Sequence, residues 1–125
     1  MSYTGNIKVS NDFRMPLTVT IIHRSGLMGE DTFASEQQIA SGTVFQFEND
    51  FVSYQTDPFL DFFQITGRFN RGNGTYVTAE ATIKYSWNKT DNGGAVEIVL
   101  GETGVTFIPP SNQNGISQTY DRPIG

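Results

Sequence analysis

The only histidine in this sequence, His23, is the one side chain whose ordinary pKa suits a general base near neutral pH. A Ser-His-Asp arrangement or a histidine metal site can therefore use only that residue. No serine stands in a Gly-x-Ser-x-Gly setting, so the hydrolase elbow is absent. Two carboxylate pairs are candidates for acid and base work, Asp57 with Asp61 and Glu30 with Asp31. Asp57 precedes Pro58 and reads as a turn initiator, and Glu30-Asp31 lies in a polar stretch. Asp61 alone sits inside an apolar run, on the alternation of Phe59, Phe63 and Ile65. His23 is in phase with Leu17, Val19 and Ile21, which reads as a core or strand-end histidine. With no second His and no Cys, no catalytic set assembles, and the expectation is a protein that is not an enzyme.

Oxygen donors suited to calcium occur at Asn49-Asp50, Asp57 and Asp91-Asn92-Gly93, but none has the EF-hand pattern, and Asx-Gly clusters ordinarily build turns. No metal and no cofactor is expected. The glycine-rich stretches Arg71-Gly72-Asn73-Gly74 and Asp91-Asn92-Gly93-Gly94 lack the lysine and following helix of a phosphate loop and read as hairpin turns. Thirteen acidic against eight basic residues leave a net charge of -5, a field that repels phosphate backbones, so nucleic acid is not an expected partner. The absence of cysteine removes disulfides and thiolate chemistry, leaving packing to supply stability. The start of the chain has no basic region followed by an apolar stretch, and no run is long enough to cross a bilayer. This reads as a soluble chain, cytoplasmic or exported without a cleaved signal peptide. In that setting Asn73-Gly74-Thr75 and Asn88-Lys89-Thr90 carry little weight as glycosylation sites.

The elements that must position these residues are strands. Segments dense in Val, Ile, Thr, Phe and Tyr recur between clusters of Gly, Asn, Asp, Ser and Pro, and no segment keeps a helical period for three turns. The fold class predicted is all-β, an antiparallel sandwich, with one domain over 1–110 and a polar C-terminal strap or tail over 111–125. Residues 6–10 and a strand opened by Pro16 are expected to form a hairpin, with Leu17, Val19, Ile21 and His23 on one face. Residues 25–36 read as a long loop. Strand signals resume at 37–40, 43–47 and 51–54. The clearest element is a hairpin of 59–69 with 75–87 around an Asn-Gly turn, in which Val77, Ala79, Ala81, Ile83, Tyr85 and Trp87 face the core. Residues 95–100 and 105–108 supply the last core strands.

Aromatic side chains are in excess between residues 45 and 69, and adjacent Phe62 and Phe63 must point to opposite sides of their strand. The second side can enter core packing or an exposed ligand or oligomer surface. Tyr54, Trp87 and Tyr120 are the candidate ligand-binding residues, since each combines an apolar body with a polar tip. Such residues suit a membrane interface, a sugar face or an ordinary rim position.

Over residues 5–110 there is an order of features: Val9-Ser10-Asn11, Leu17-Thr18-Val19-Thr20-Ile21-Ile22-His23, a polar loop and Ile39-Ala40-Ser41-Gly42. An aromatic run at Asp61-Phe62-Phe63-Gln64-Ile65 and then Asp91-Asn92-Gly93-Gly94-Ala95-Val96-Glu97-Ile98 follow. This order resembles the small β-sandwich family of the aegerolysins and the related domain up-regulated in insulin-signalling mutants of nematodes. The resemblance implies a toxin-like sandwich that recognises membrane lipids, typically sphingolipid-containing membranes, with a pore-forming partner sometimes recruited. That family pattern is richer in Trp and usually contains Cys, whereas this chain has Trp87 alone, so no head-group residue is carried over. The first functional expectation is a non-catalytic module binding membrane lipid or glycolipid. The alternatives are a structural, self-associating or protein-binding sandwich and a soluble lectin.

Overall fold

Alternation of apolar and polar side chains, broken by Gly, Asn and Pro, becomes ten strands among the residues described. The computed structural model describes residues 3–25, 30–48, 50–53, 61–72, 74–87 and 89–122. The strands are β1 (Tyr3–Asn11), β2 (Leu17–Ser25), β3 (Glu30–Ile39), β4 (Val44–Gln46), β5 (Phe51–Ser53), β6 (Asp61–Asn70), β7 (Tyr76–Tyr85), β8 (Ala95–Leu100), β9 (Gly104–Ile108) and β10 (Ile116–Thr119). They form two packed sheets, one ordered β10-β9-β8-β1-β4 with β5 also on β1, the other β3-β2-β6-β7. This is the all-β sandwich expected. Its pairings are antiparallel except for β1 with β8, which run parallel from Asn6↔Ala95 to Asn11↔Leu100.

The expected hairpin of the first two strands does not form, because β1 and β2 belong to different sheets. Asn11 makes the crossing possible. Its side chain is fully buried, its Nδ2 donates to the carbonyls of Met15 and Ile39, each at 3.0 Å, and its Oδ1 accepts from the Phe13 amide at 2.8 Å. A buried amide with every bond made holds the turn against the end of β3 instead of folding β2 back on β1.

The loop expected over 25–36 is also corrected, since β3 occupies Glu30–Ile39. Its register with β2 shifts twice, between Val19 and Ile21 and between Ile21 and Ile22. Glu36 there has a φ of 50°, the single non-glycine residue with positive φ among those described. Each bulge inserts an unpaired residue and breaks the period of two that marks a strand in sequence. Residues 26–29 lie outside the described part.

The hairpin of β6 and β7 pairs in continuous register from Asp61↔Tyr85 to Asn70↔Tyr76. The core face is as read from alternation: Leu17, Val19, Ile21 and His23 from β2, Phe63 and Ile65 from β6, and Ala79, Ala81, Ile83, Tyr85 and Trp87 on the return arm are all buried. The core is centred on rings. Phe51 meets Phe63 at 5.4 Å and Trp87 at 5.2 Å, and Phe107 meets Phe63 at 4.9 Å and Tyr85 at 5.3 Å. Each fully buried ring contributes roughly 1.5–3 kcal/mol relative to exposure, with more from tilted and edge contacts.

Residues beyond Pro110 join the sandwich edge. β10 pairs with β9 from Ile116↔Phe107 to Thr119↔Gly104, and the Tyr120 hydroxyl donates to the Gly101 carbonyl at 3.0 Å. Asp121 then reaches the other sheet: its amide donates to the Glu80 carbonyl and its carboxylate accepts from the Glu80 amide, both at 2.9 Å. That amide holds the Asp121 carboxyl below its usual range. A second tie lies at Asp91, buried in a single turn of 3-10 helix (Lys89–Asp91), which accepts from the Tyr85 hydroxyl at 2.5 Å and the Ser111 amide at 2.7 Å.

Two predictions follow from this packing. A methyl group at Gly5 would lie 2.6 Å from Phe51 Cζ and 3.0 Å from Trp87 Cη2. Gly5→Ala is therefore expected to lower stability by about 1–3 kcal/mol, the usual range for overpacking. The readout is a lower urea midpoint at unchanged slope, and an unchanged midpoint would show that the rings have room to move. Burial first, and then the bond to Asp91, push the Tyr85 phenol from 10.0 up to about 12. A raised folded-state pKa makes its contribution to stability complete below pH 10 and lost as pH rises toward 12. Chemical unfolding across that interval should show a fall that Tyr85→Phe reduces.

Candidate functional site

The arrangement closest to catalytic chemistry is sealed. His23 Nε2 lies 3.4 Å from Asp61 Oδ2, and both side chains are at most 1% exposed. The imidazole is wedged between Phe51 and Phe63, with ring centres 4.8 Å away on each side. Asp61 Oδ1 has no hydrogen-bond partner among the described residues. The pair links β2 to β6 within the core.

The other sequence candidates disperse. Glu30 and Asp31 stand in β3, opposite Arg24 and His23 in register, and Asp57 lies outside the described residues. Asp50 accepts from Asn6 Nδ2 at 3.3 Å, Asn92 accepts from the Thr4 amide at 2.9 Å, and Asp91 makes the bonds already given. These Asx groups are taken up in hydrogen bonds, most of them to distant parts of the chain, and among the described residues no three His, Cys, Asp or Glu side chains converge on a metal-sized space. Asn49, Asn73 and Asn88 are outside the described part, as is Tyr54. Trp87 and Tyr120 are buried, at 3% and 9% exposure, and sit apart at different places in the core. Trp87 keeps the inward parity that alternation gives it, and Tyr120 fills the sandwich edge as its chain crosses between sheets.

The outer face of the four-stranded sheet is made by the side chains that alternation excludes from the core. Register aligns them in rungs. Arg24, Phe62 and Lys84 form one, and Ile22, Gln64 and Thr82 the next. Directly opposed side chains on one face lie close enough to interact, so the register itself sets Phe62 between two cations. The Arg24 guanidinium carbon is 4.6 Å from the ring centre and Lys84 Nζ 6.0 Å. Glu30 of β3 opposes Arg24 in the same rung, and among the side chains described no carboxylate lies at ion-pair distance from either cation. Ile22, Arg24, Phe62, Gln64 and Thr82 line a depression of about 210 Å³.

Farther along the same face, Gln64 Nε2 donates to Glu80 at 2.8 Å, and Arg68 pairs with Glu36 at 3.7 Å while lying over the Tyr76 ring at 4.8 Å. A different concavity, about 510 Å³, lies over β8 to β10 and is lined by small hydroxyl side chains such as Thr103, Thr106 and Ser117, with no cation. Arg24, Phe62 and Lys84 were not among the sequence candidates. Alternation places each of them outward, and the Asn-Gly hairpin register sets Phe62 against Lys84, but bringing Arg24 to the ring requires the β2–β6 pairing, which no local pattern encodes. No protein-family model matches this chain, and no curated protein matches it significantly.

Proposed function

We propose that this protein is a binding module without covalent chemistry that recognises the anionic part of a membrane lipid or glycolipid head group through the outer face of its four-stranded sheet. The observation that carries the reading is the rung Arg24-Phe62-Lys84: two cations converging on a half-buried ring in a chain of net charge -5. Cations bind a head-group phosphate or carboxylate, and an aromatic ring between them suits the boundary between head group and acyl chain. The overall negative field gives little long-range attraction, so recognition rests on this local set. The enclosure of His23 and Asp61 supports the absence of catalysis, and the resemblance to aegerolysins supports the same ligand class.

The test is co-sedimentation with vesicles of phosphatidylcholine, phosphatidylserine and sphingomyelin with cholesterol at physiological salt. The wild type is expected to pellet with at least one composition. At about 1 kcal/mol for each basic residue near a membrane surface, Arg24→Glu with Lys84→Glu should weaken binding by thirtyfold or more, roughly. Pelleting of both proteins alike, or of neither with any composition, would sink the reading.

A second reading, self-association, is favoured by one feature. The short strand β4 ends its sheet, and its Val44 is 58% exposed beside the edge-on pair of Phe45 and Phe47 at 4.9 Å. A strand that ends its sheet among the described residues, next to apolar side chains, can pair with a second copy. On this reading light scattering at high concentration shows a dimer that Val44→Lys converts to monomer, and a strictly monomeric wild type removes it.

A further inference from the structure

The far end of the outer face carries a separate concavity with different chemistry. The turn before β2 and the closing end of the β6–β7 hairpin wall a cleft of about 520 Å³, lined by Met15, Pro16, Gln38, Arg68, Asn70 and Tyr76 among others. This lies in the range of small-ligand sites, roughly 300–1,000 Å³. Arg68 is six residues from Phe62 along β6, about 20 Å at strand rise, so one head group does not fill both places.

Three large apolar side chains are exposed among the described residues, and two of them, Tyr76 at 55% and Met15 at 38%, line this cleft. Arg68 holds one side of the Tyr76 ring and is itself charge-balanced by Glu36 at 3.7 Å. The aromatic platform is thus held in place, and its local charge is neutralised. The groups around it are hydrogen-bonding ones. Asn70 Oδ1 accepts from the Gly72 amide at 2.8 Å, which orients the carboxamide and leaves its Nδ2 hydrogens without a partner among the described residues. The Gln38 carboxamide and the Thr18 hydroxyl complete the rim.

A ligand matched to this lining has one apolar face, several hydroxyls and no net charge. An acyl chain would cover the Gln38 and Asn70 amides without offering them a hydrogen-bond partner. A phosphate would meet a cation already paired. A pyranose satisfies both requirements, its C–H face on the ring and its hydroxyls toward the amides.

We propose that this cleft is a site for a neutral saccharide, with Tyr76 as the stacking platform and Arg68, Gln38 and Asn70 as donors to ring hydroxyls. The saccharide can be carried by a glycolipid or a soluble glycan.

The experiment is an array of neutral and acidic oligosaccharides probed with the purified full chain, followed by titration of the best neutral binder by NMR. Wild type is expected to bind at least one neutral glycan, with shifts at Tyr76 and Asn70. Tyr76→Ala should weaken binding by about tenfold or more, whereas Tyr76→Phe should stay within about threefold, since the ring and not the hydroxyl is used. Tyr76 is exposed, so both variants should keep the wild-type circular dichroism. Vesicles bearing the same glycan as a glycolipid, compared with the free oligosaccharide, identify its source. The Arg24→Glu, Lys84→Glu variant should bind the free glycan like wild type, which keeps this site distinguishable from the head-group site. No neutral glycan bound, binding confined to acidic glycans, or equal affinity in Tyr76→Ala would overturn the proposal.

Discussion

Phe62 and Phe63 are consecutive in β6, and an extended backbone sends them to opposite faces of the sheet. Phe63 is fully buried against His23, Phe51 and Phe107, which fixes the parity of the whole strand. A slip of one residue would turn Gln64, Thr66 and Arg68 into the core and expose Phe63 and Ile65, exchanging two large apolar burials for unpaired polar groups. The outward ring of Phe62 is therefore a consequence of core packing. Pairing with β2 and β7 then sets Arg24 and Lys84 beside it. The proposed recognition surface and the core are two sides of one register, so a change that disturbs Phe63 also disturbs the surface.

How much of this can be read in the sequence varies with how local each pairing is. The β6–β7 hairpin is visible because both arms alternate without a break and the turn contains Asn-Gly. The inward face of β2 is visible for the same reason, and His23 belongs to it. β3 is hidden because two bulges break its alternation within ten residues, and the polar stretch that results imitates a loop. The parallel pairing of β1 with β8 joins segments some ninety residues apart, and the crossing from β1 to β2 depends on Asn11 finding the carbonyl of Ile39. Neither leaves a local mark. Trp87 shows the opposite situation: its parity with Tyr85 and Ile83 already assigned it to the core, and packing followed parity over the preference of Trp for an interface.

The electrostatics follow the same division. The chain is acidic, yet three of its eight basic residues, Arg24, Arg68 and Lys84, stand on the outer face of one sheet. Their surroundings differ. Arg68 is balanced by Glu36 and works as a support for the Tyr76 ring, whereas Arg24 and Lys84 flank Phe62 without such a partner among the side chains described. One face thus holds a cationic aromatic end and an aromatic end whose cation is already balanced. Inside, the His23 and Asp61 pair sits between rings with Asp61 Oδ1 unsatisfied among the described residues, a burial that weakens the core and ties β2 to β6.

Both ends of the outer face rest on backbone that is already ordered. β2, β6 and β7 are full-length strands paired to one another, and the outer edge of β7 is clasped at Glu80 by Asp121 through two backbone bonds. Side chains fixed by cross-strand neighbours lose little further freedom when a ligand arrives, so more of each contact remains as affinity. This matters most for a shallow surface, where buried area is small. The clasp comes from beyond Pro110, in a stretch too polar to form a core strand by itself. Its contribution is made through the two Glu80 backbone bonds and the buried Tyr120 ring, which hold the outer edge of the four-stranded sheet to the end of the opposite one.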